Sequence, residues 1–475
     1  MAGIGFELRK YLDEDSFGGT LKAYGFAGLI GAGPWVLSIL GVMLIGLVAL
    51  AGEAGGASAS PGDGVGEVRR FTTVVTWMMG ASLTLSGLLQ LVFTRFVADR
   101  LYEGRVELVN PNLLGALLLS ALVAGALASF AALLWFDEPF AHEALLVANF
   151  VTLSLIWIVV IFVAGLRRFR LVLGAFAAGY AATVLCSLVL MAHGLAGLLA
   201  GLLAGHALLL FVMLGVILAE HPPGEGLRLD FLRRKSIFPS LIATGFLYNG
   251  GIWVDKLIFW TSPLTSEAVF GPLRLSLIYD LPIFLAYLSI IPGMAVFLLR
   301  IETDFAEAYE RFFAAVRGGA GLDEIERLGD AMVAAVREGL AQICRVQGAT
   351  VLALFLLGPT IVARLGLPAG YVHLYYVDLV GVAAQVLMLA ILNVLFYLDR
   401  LRDALILTAT LLVGNASLSA LSIHLGPHWY GYGFGLSMVL TVALGLVLLR
   451  RELENIEFRT FMRVPRAEET SRDRG

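Results

Sequence analysis

The sequence predicts an all-α polytopic membrane protein with about twelve transmembrane helices arranged as two six-helix lobes. Three observations lead there. Of 475 residues, 59% are hydrophobic and only 15% charged, and the mean hydropathy is +0.86. A soluble chain carries roughly 25% charged residues, so lipid must be the main solvent. Apolar runs of about 20 residues, the length that crosses the hydrocarbon, recur from end to end. Basic residues then fall in every second connection between those runs. The 53 glycines agree with this reading, because small residues let bilayer helices approach closely.

In order, the predicted spans of the first lobe are Ala23–Ala51, Phe71–Phe96, Leu113–Phe136, Ala144–Leu166, Leu171–Met191 and Leu195–Ala219. Those of the second are Ile237–Trp260, Leu275–Leu299, Val346–Ala363, Tyr375–Leu398, Ala404–Leu425 and Gly431–Leu449. The first run is too long for a signal-peptide core and reads as an uncleaved span. Only Ala192, His193 and Gly194 separate spans 5 and 6. Cys186 and Cys344 lie in or beside different apolar runs, so no disulfide framework is expected.

Lys and Arg set the orientation. One side collects Arg9, Lys10 and Lys22, Arg95 to Arg105, Arg167 to Arg170, Arg228 to Lys235, the arginines from Arg300 to Arg345, Arg400 and Arg402, and those of the tail. The exceptions are Arg69, Arg70, Arg274 and Arg364, with Lys256 inside a span. Both termini are therefore expected in the cytoplasm of a bacterial inner membrane. The opposite face carries Asp137, Glu138 and Glu143, an aromatic belt of Trp135, Trp260 and Trp429, and a flexible Gly/Ser-rich loop at Gly52–Gly66. With a net charge of -4 and no long basic block, nucleic-acid binding is not expected.

The expected organisation is an amphipathic N-terminus over residues 1–22, a first lobe over 23–219, a connector over 220–236, a second lobe over 237–449, and a tail over 450–475. Gly31, Gly33, Pro34 and Trp35 in span 1 have counterparts in Asn249, Gly250, Gly251 and Trp253 of span 7, which suggests a repeat with a hinge or substrate path between halves. The two tryptophans can stack on sugar rings or simply pack. Within the second lobe, residues 301–343 predict two amphipathic helices, one marked by Phe305, Tyr309, Phe312 and Val316, the other by Ile325, Leu328, Met332 and Val336. They can dock a partner, lie in the headgroups or pack on the bundle.

Ionisable residues inside the bilayer cost roughly 2.5–3.5 kcal/mol each on insertion scales. The second lobe holds Asp255 and Lys256 on span 7, Asp280 on span 8 and Asp378 on span 10, at matched depth near the outer boundary. Neighbours on a helix point about 100° apart, so Lys256 is expected to meet Asp280 or Asp378 rather than Asp255. Three acids against one base suit a proton or Na⁺, or a set of structural ion pairs. His206 on span 6 is a proton relay or a hydrogen-bonded core histidine.

Other chemistry finds little support. Asp13-Glu14-Asp15 matches a glycosyltransferase D-x-D pattern but has no room for a nucleotide-binding domain. His373 and Asp378, as H-x₄-D for an acyltransferase, point about 140° apart on a helix. There is no P-loop and no zinc cluster, so no metal or cofactor is called for.

Met1-Ala2-Gly3-Ile4-Gly5-Phe6-Glu7-Leu8-Arg9-Lys10, Ala27-Gly28-Leu29-Ile30, Gly33-Pro34-Trp35 and Tyr248-Asn249-Gly250-Gly251-Ile252-Trp253-Val254-Asp255-Lys256 resemble the PelG family of exopolysaccharide exporters. The resemblance implies the fold of the multidrug/oligosaccharidyl-lipid/polysaccharide flippases, two six-helix lobes around a central cavity, and a transporter rather than an enzyme. It also implies an N-acetylgalactosamine-rich Pel polymer as cargo, a cytoplasmic glycosyltransferase and cyclic-di-GMP-responsive membrane partners, and a role in the biofilm matrix. Drug antiporters of that superfamily use carboxylates on helices 7 and 10, a likeness at the level of helices. The same fold leaves two alternatives open: a cation-coupled small-molecule antiporter, or a membrane scaffold for a polysaccharide synthase.

Overall fold

The computed structural model describes residues 63–165, 169–233 and 238–456, with short stretches between residues 18 and 48. Gly31, Gly33, Pro34 and Trp35, the D-x-D at 13–15, almost all of the amphipathic N-terminus and the tail beyond 456 lie outside them. Nine stretches of the described chain are long and apolar enough to cross a membrane. One of these, Leu171–Glu220, is two helices.

The first half contains α1 (Asp63–Tyr102), α2 (Val109–Trp135), α3 (Phe140–Val159), α4 (Phe169–Leu190) and α5 (Gly194–Glu220). α1 starts at Asp63, so it takes up the end of the expected Gly/Ser-rich loop, and its 40 residues exceed the span predicted there. α4 and α5 form an antiparallel hairpin around Met191–His193, where Gly194 (φ 62) turns the chain. Their contact is close because glycines face small residues: a Cβ on Gly205 would fall 2.0 Å from Thr183 Oγ1.

After α5 the connector does not hang free. Asn110 of α2 donates to the carbonyls of His221 and Pro222 (3.0 and 3.2 Å), Arg228 N donates to Pro111 O (3.1 Å), and Asn112 both accepts from Asp230 N and donates to its carboxylate. Phe231 is thereby pushed into a ring cluster with Phe93 and Phe96, at centroid distances of 5.3 and 6.2 Å.

The second half contains α6 (Pro239–Thr261), a hairpin of β1 (Glu267–Phe270) and β2 (Leu273–Leu275), α7 (Leu277–Tyr287), α8 (Ile290–Leu299), α9 (Ala306–Gly318), α10 (Leu322–Arg364), α11 (Tyr371–Tyr397), α12 (Leu401–Leu425) and α13 (Tyr432–Glu454). α6 has proline at its first helical position, where the missing N–H costs nothing.

Several expectations need correction. Span 8 is broken: Pro292 has no N–H to give the Leu288 carbonyl, and α7 and α8 part at Leu288–Ser289. α8 then runs through a π-helical turn, Arg300–Phe305, into α9, with Thr303 Oγ1 donating to Leu298 O at 3.0 Å. α9 stops at Gly319 (φ 69), whose amide and that of Ala320 return to Val316 and Ala315. The second amphipathic helix is not separate from span 9; both belong to the 43-residue α10, since nothing between Ile343 and Val346 interrupts a helix. Ile325, Met332, Val336 and Phe312 are buried, so this apolar face packs within the chain's own core and is not available to a partner. Trp135 and Trp429 are exposed, but Trp260 is buried and does not belong to an aromatic belt. The β-hairpin was not foreseen.

The two halves are joined rather than merely adjacent. A core around Phe93, Phe162 and Phe176 of the first half takes in Ala295 and Leu298 of α8. The larger core, centred on Tyr279, Tyr287, Tyr375 and Phe434, takes in Phe71, Val74 and Leu198 of the first half.

Candidate functional site

Charge in a lipid-solvated protein must be paired or put to use. Asp255 and Lys256 near the end of α6 are both fully buried, as is Asp378 in α11, and Asp280 in α7 is 2% exposed. Lys256 Nζ lies 3.1 Å from Asp255 Oδ2. This corrects the expectation that the pair would look away from one another. The Cα directions do diverge, but the four-carbon lysine stem folds back toward the preceding turn, where Nζ also donates to Ile252 O at 3.0 Å. Its remaining face meets the rings of Tyr287, Phe434 and Trp253, with centroids 5.2, 5.3 and 5.6 Å from Nζ.

Asp255 is held by more than the ammonium. Tyr279 Oη donates to it at 2.6 Å and Asn415 Nδ2 at 3.1 Å. Asn415 also donates to Gly251 O at 2.8 Å, and Ser419 Oγ fixes its carbonyl oxygen at 2.9 Å. α12 can come this close because residue 251 is glycine; a Cβ there would press on Leu411 at 3.0 Å. Tyr279 is itself stacked on Phe259, with centroids 3.8 Å apart. The cluster is therefore pinned from α6, α7 and α12 at once.

Asp280 does not meet Lys256 directly, contrary to one of the expected pairings. Its oxygens accept from Trp260 Nε1 at 2.9 Å and from the Ser276 amide at 3.2 Å. Reaching back to the amide that precedes α7 is the job of a capping carboxylate. The same bond explains why Trp260 is drawn inside, where it also meets the Trp77 ring at 4.8 Å. Asp378 is different again. Lys256 and Asp255 act on it electrostatically, but neither of its oxygens has a hydrogen-bond donor among the described residues. Thus the four residues named from sequence share one electrostatic neighbourhood, yet only one contact pair forms. Tyr279, Tyr287, Asn415, Ser419 and Phe434, which complete the site, were missed. Asn415 and Ser419, four apart on an apolar helix, were the available signal.

His206 lies on the α4–α5 hairpin in the first half. Its Nδ1 is 3.0 Å from Leu202 O and its ring stands edge-on to Tyr180, with Nε2 unbonded among the described residues. Trp253 packs flat on α1, where a Cβ on Gly80 would be 2.7 Å from the indole. Asn249 is 3.4 Å from Gln90 of α1. Beside it, α1 and α6 cross at Gly87 and Gly245, so tightly that a Cβ on Gly245 would fall 2.1 Å from the Gly87 carbonyl. Gly250 lies beside Leu412 and Thr84.

α1 is also tied to the second half beyond this crossing. Near its start, Arg69 pairs with Glu267 of the hairpin, and Trp77 Nε1 donates to Arg274 O at 2.8 Å. Near its other end, Arg95 reaches Asp399 in the α11–α12 turn at 2.8 Å and lies over the Phe238 ring. Asp399 (φ 57) is the one described non-glycine residue in the left-handed region.

Several solved structures with a similar fold are of transporters. A solved outward-facing multidrug-resistance MATE family transporter of the MOP superfamily has a TM-score of 0.63 at 14% identity, covering 91% of this chain and 96% of its own. A MATE in the bent conformation gives 0.62 at 12% identity, with 92% and 95% covered. A MOP superfamily transporter from Pyrococcus furiosus Vc1, whose binding pocket is described as having reversed polarity, gives 0.58 at 12%, with 91% and 98% covered. At these identities the likeness concerns the fold. No curated protein matches the sequence. The family model "PelG: Putative exopolysaccharide Exporter (EPS-E)" matches residues 1–461. The chain carries the MATE-like fold and belongs to the PelG family of exopolysaccharide exporters.

Proposed function

We propose that the chain carries a Pel-type, N-acetylgalactosamine-rich exopolysaccharide across the bacterial inner membrane, feeding the biofilm matrix. The observation that carries this reading is the exporter-family match over residues 1–461, on a chain that has the transporter fold along nearly all its length. In this reading both termini are cytoplasmic, the halves 23–219 and 237–449 are the two lobes, and a cytoplasmic glycosyltransferase with cyclic-di-GMP-responsive membrane partners delivers the polymer. The Asp255–Lys256–Asp378 cluster serves as the coupling element. One ammonium faces two carboxylates besides the capped Asp280, and Asp378 has no donor among the described residues, so a proton or small cation arriving there completes the charge balance. The glycines and aromatics of α6 at Asn249–Trp253 serve as a substrate path or a hinge between the lobes.

A second reading, a cation-coupled antiporter of small molecules, is favoured by the same buried acids and by the likeness to MATE transporters. One experiment separates the two. The protein is reconstituted with the polymerase in inverted vesicles, and labelled glycan is tested for protection from an added glycosidase. Protected glycan that depends on this chain is expected. Unprotected glycan, alongside uptake of small cations, refutes polysaccharide export and supports the antiporter.

A further inference from the structure

One stripe of α11 carries polar side chains through the core of the second half. Asp378, Gln385 and Asn393 follow one another at intervals of seven and eight residues, which at about 100° per residue keeps all three within about 80° around the helix. Two more polar side chains meet α11 beside Gln385. A Cβ on Gly293 of α8 would fall 2.4 Å from Gln347 Oε1 of α10 and 3.1 Å from Val386. Gln347 Nε2 donates to the carbonyl of Ser289, at the break between α7 and α8, at 2.9 Å. Asp378, Gln385, Ser289 and Gln347 are each exposed by 6% or less.

The oxygens of this row share one feature. Gln347 and Asn393 turn their amide nitrogens to acceptors, the Ser289 carbonyl and the Glu302 carboxylate (3.3 Å), so neither amide can be reversed. The oxygen of each is left without a donor among the described residues, as are Gln385 Oε1, Ser289 Oγ and both oxygens of Asp378. A bare buried acceptor costs about 1–3 kcal/mol, and internal water, which donates two hydrogen bonds, removes that cost. Hydroxyls link the upper part of the row: Tyr287 of α7 interacts electrostatically with Asp378, Asp255 and Tyr248, and Tyr248 of α6 interacts with Gln385. Asp378 itself faces Asp255 and Lys256 of α6 and Tyr279 and Tyr287 of α7. About 22 Å away along α11, counting 1.5 Å per residue from Asp378 to Asn393, Glu302 on the π-helical turn is only partly buried and adjoins Tyr397.

We propose that a file of internal waters runs along this stripe, from Glu302 past Asn393, Gln347, Ser289 and Gln385 to Asp378, and that the ion reaching Asp378 along it is a proton. The proton enters from the aqueous phase at Glu302. Each water accepts one proton and hands on another, and the last binds a carboxylate oxygen of Asp378, which becomes a neutral acid. Reorientation of the waters restores the file. The use of this path in transport rests on the coupling role given to Asp378 above; the path itself does not.

The test follows Asp378 by time-resolved infrared spectroscopy of the full-length protein in detergent after a drop in pH. The carboxylic-acid band that Asp378→Asn removes should rise in the wild type. In Gln385→Leu with Gln347→Leu, of similar volume but without the acceptors, it should rise on the order of tenfold more slowly, since one lost hydrogen bond in the file suffices for that factor. Thr410→Val on α12, whose hydroxyl bonds only to its own helix, should leave the rate unchanged. If Gln347→Leu lowers the amount of folded protein by giving up the Ser289 bond, Gln385→Leu alone is read in the same way. An unchanged rate in the glutamine variants overturns the proposal, as does equal slowing by Thr410→Val or a spectrum without an Asp378-dependent band. Export measured alongside keeps the two readings apart. Slowed protonation with undiminished export leaves the path standing and removes Asp378 from coupling. Export lost in Asp378→Asn, with an unchanged protonation rate in the glutamine variants, does the reverse.

Discussion

Lys256 is the position where the structure makes its sharpest quantitative statement. Lys256→Met keeps the stem and the contacts with Tyr287, Phe434 and Trp253 but deletes the ammonium. Asp255 would keep its bonds from Tyr279 and Asn415, while Asp378 would keep no donor among the described residues. Breaking a fully buried pair by removing one partner costs about 3–5 kcal/mol, because a charge is left uncompensated in a low-dielectric interior. Replacing both members is much gentler. Lys256→Met with Asp255→Asn should recover all but about 1 kcal/mol, the asparagine still accepting from Tyr279. Lys256→Met with Asp280→Asn should recover nothing, because Asp280 is satisfied by Trp260 and Ser276. The assay is thermal unfolding of purified protein in detergent, with membrane abundance measured in parallel. Wild-type stability for Lys256→Met alone would refute the pairing, and so would better rescue by Asp280→Asn than by Asp255→Asn.

Asp378→Asn removes a buried carboxylate with no donor among the described residues, so abundance should hold or rise; export should fall at least tenfold if the cluster couples transport, and unchanged export would exclude Asp378 from coupling. Exchanging the charges of the α1 tie, Arg95→Asp with Asp399→Arg, should restore export lost by either change alone; failure of the exchange, with protein levels normal, would mean that the 2.8 Å contact is incidental. Gly245→Ala should cost about 1–3 kcal/mol, since its Cβ meets the Gly87 backbone, and a neutral result would show that α1 and α6 separate easily. A cysteine at Glu138 should react with an impermeant reagent in intact cells and one at Arg402 should not; the reverse would invert the orientation.

Much of the architecture was legible because bilayer physics leaves few choices. Apolar runs of sufficient length must be helices, and the turn at Met191–His193 falls where the run is weakest. Continuity was harder. Hydropathy divides Leu322–Arg364 into a polar and an apolar part, whereas no proline interrupts the backbone before Pro359 and it makes one helix. The hairpin Glu267–Leu275 was too short to register beside spans of about 20 residues, and it is set by Gly271 (φ 50) and by contacts from Arg69 and Trp77 on a distant helix. At the site, Asp255, Lys256, Asp280 and Asp378 were conspicuous because charge in an apolar run is costly. Their partners were not, since Tyr279 and Asn415 are ordinary residues until packing aims them at Asp255. The pairing of Lys256 was misjudged because helical angles describe Cβ directions, and a flexible lysine stem is free to depart from them.

The unbroken run of α10 has a mechanical consequence. From Leu322 to Arg345 it measures roughly 36 Å at about 1.5 Å per residue, all beyond the apolar part. Its buried seam, from Ile325 through Met332 and Val336 to Ile343, keeps this arm braced to its neighbours. Gln342, partway along, bonds both Arg300 beside the π-helical turn and Tyr24 of the first half. A rigid rod so braced behaves as a lever: tilting its membrane portion by about 10° would carry the Leu322 end through about 6 Å on the same 1.5 Å rise. Small rearrangements among packed helices would thus be magnified into a displacement that a neighbouring molecule in the aqueous phase could sense or impose.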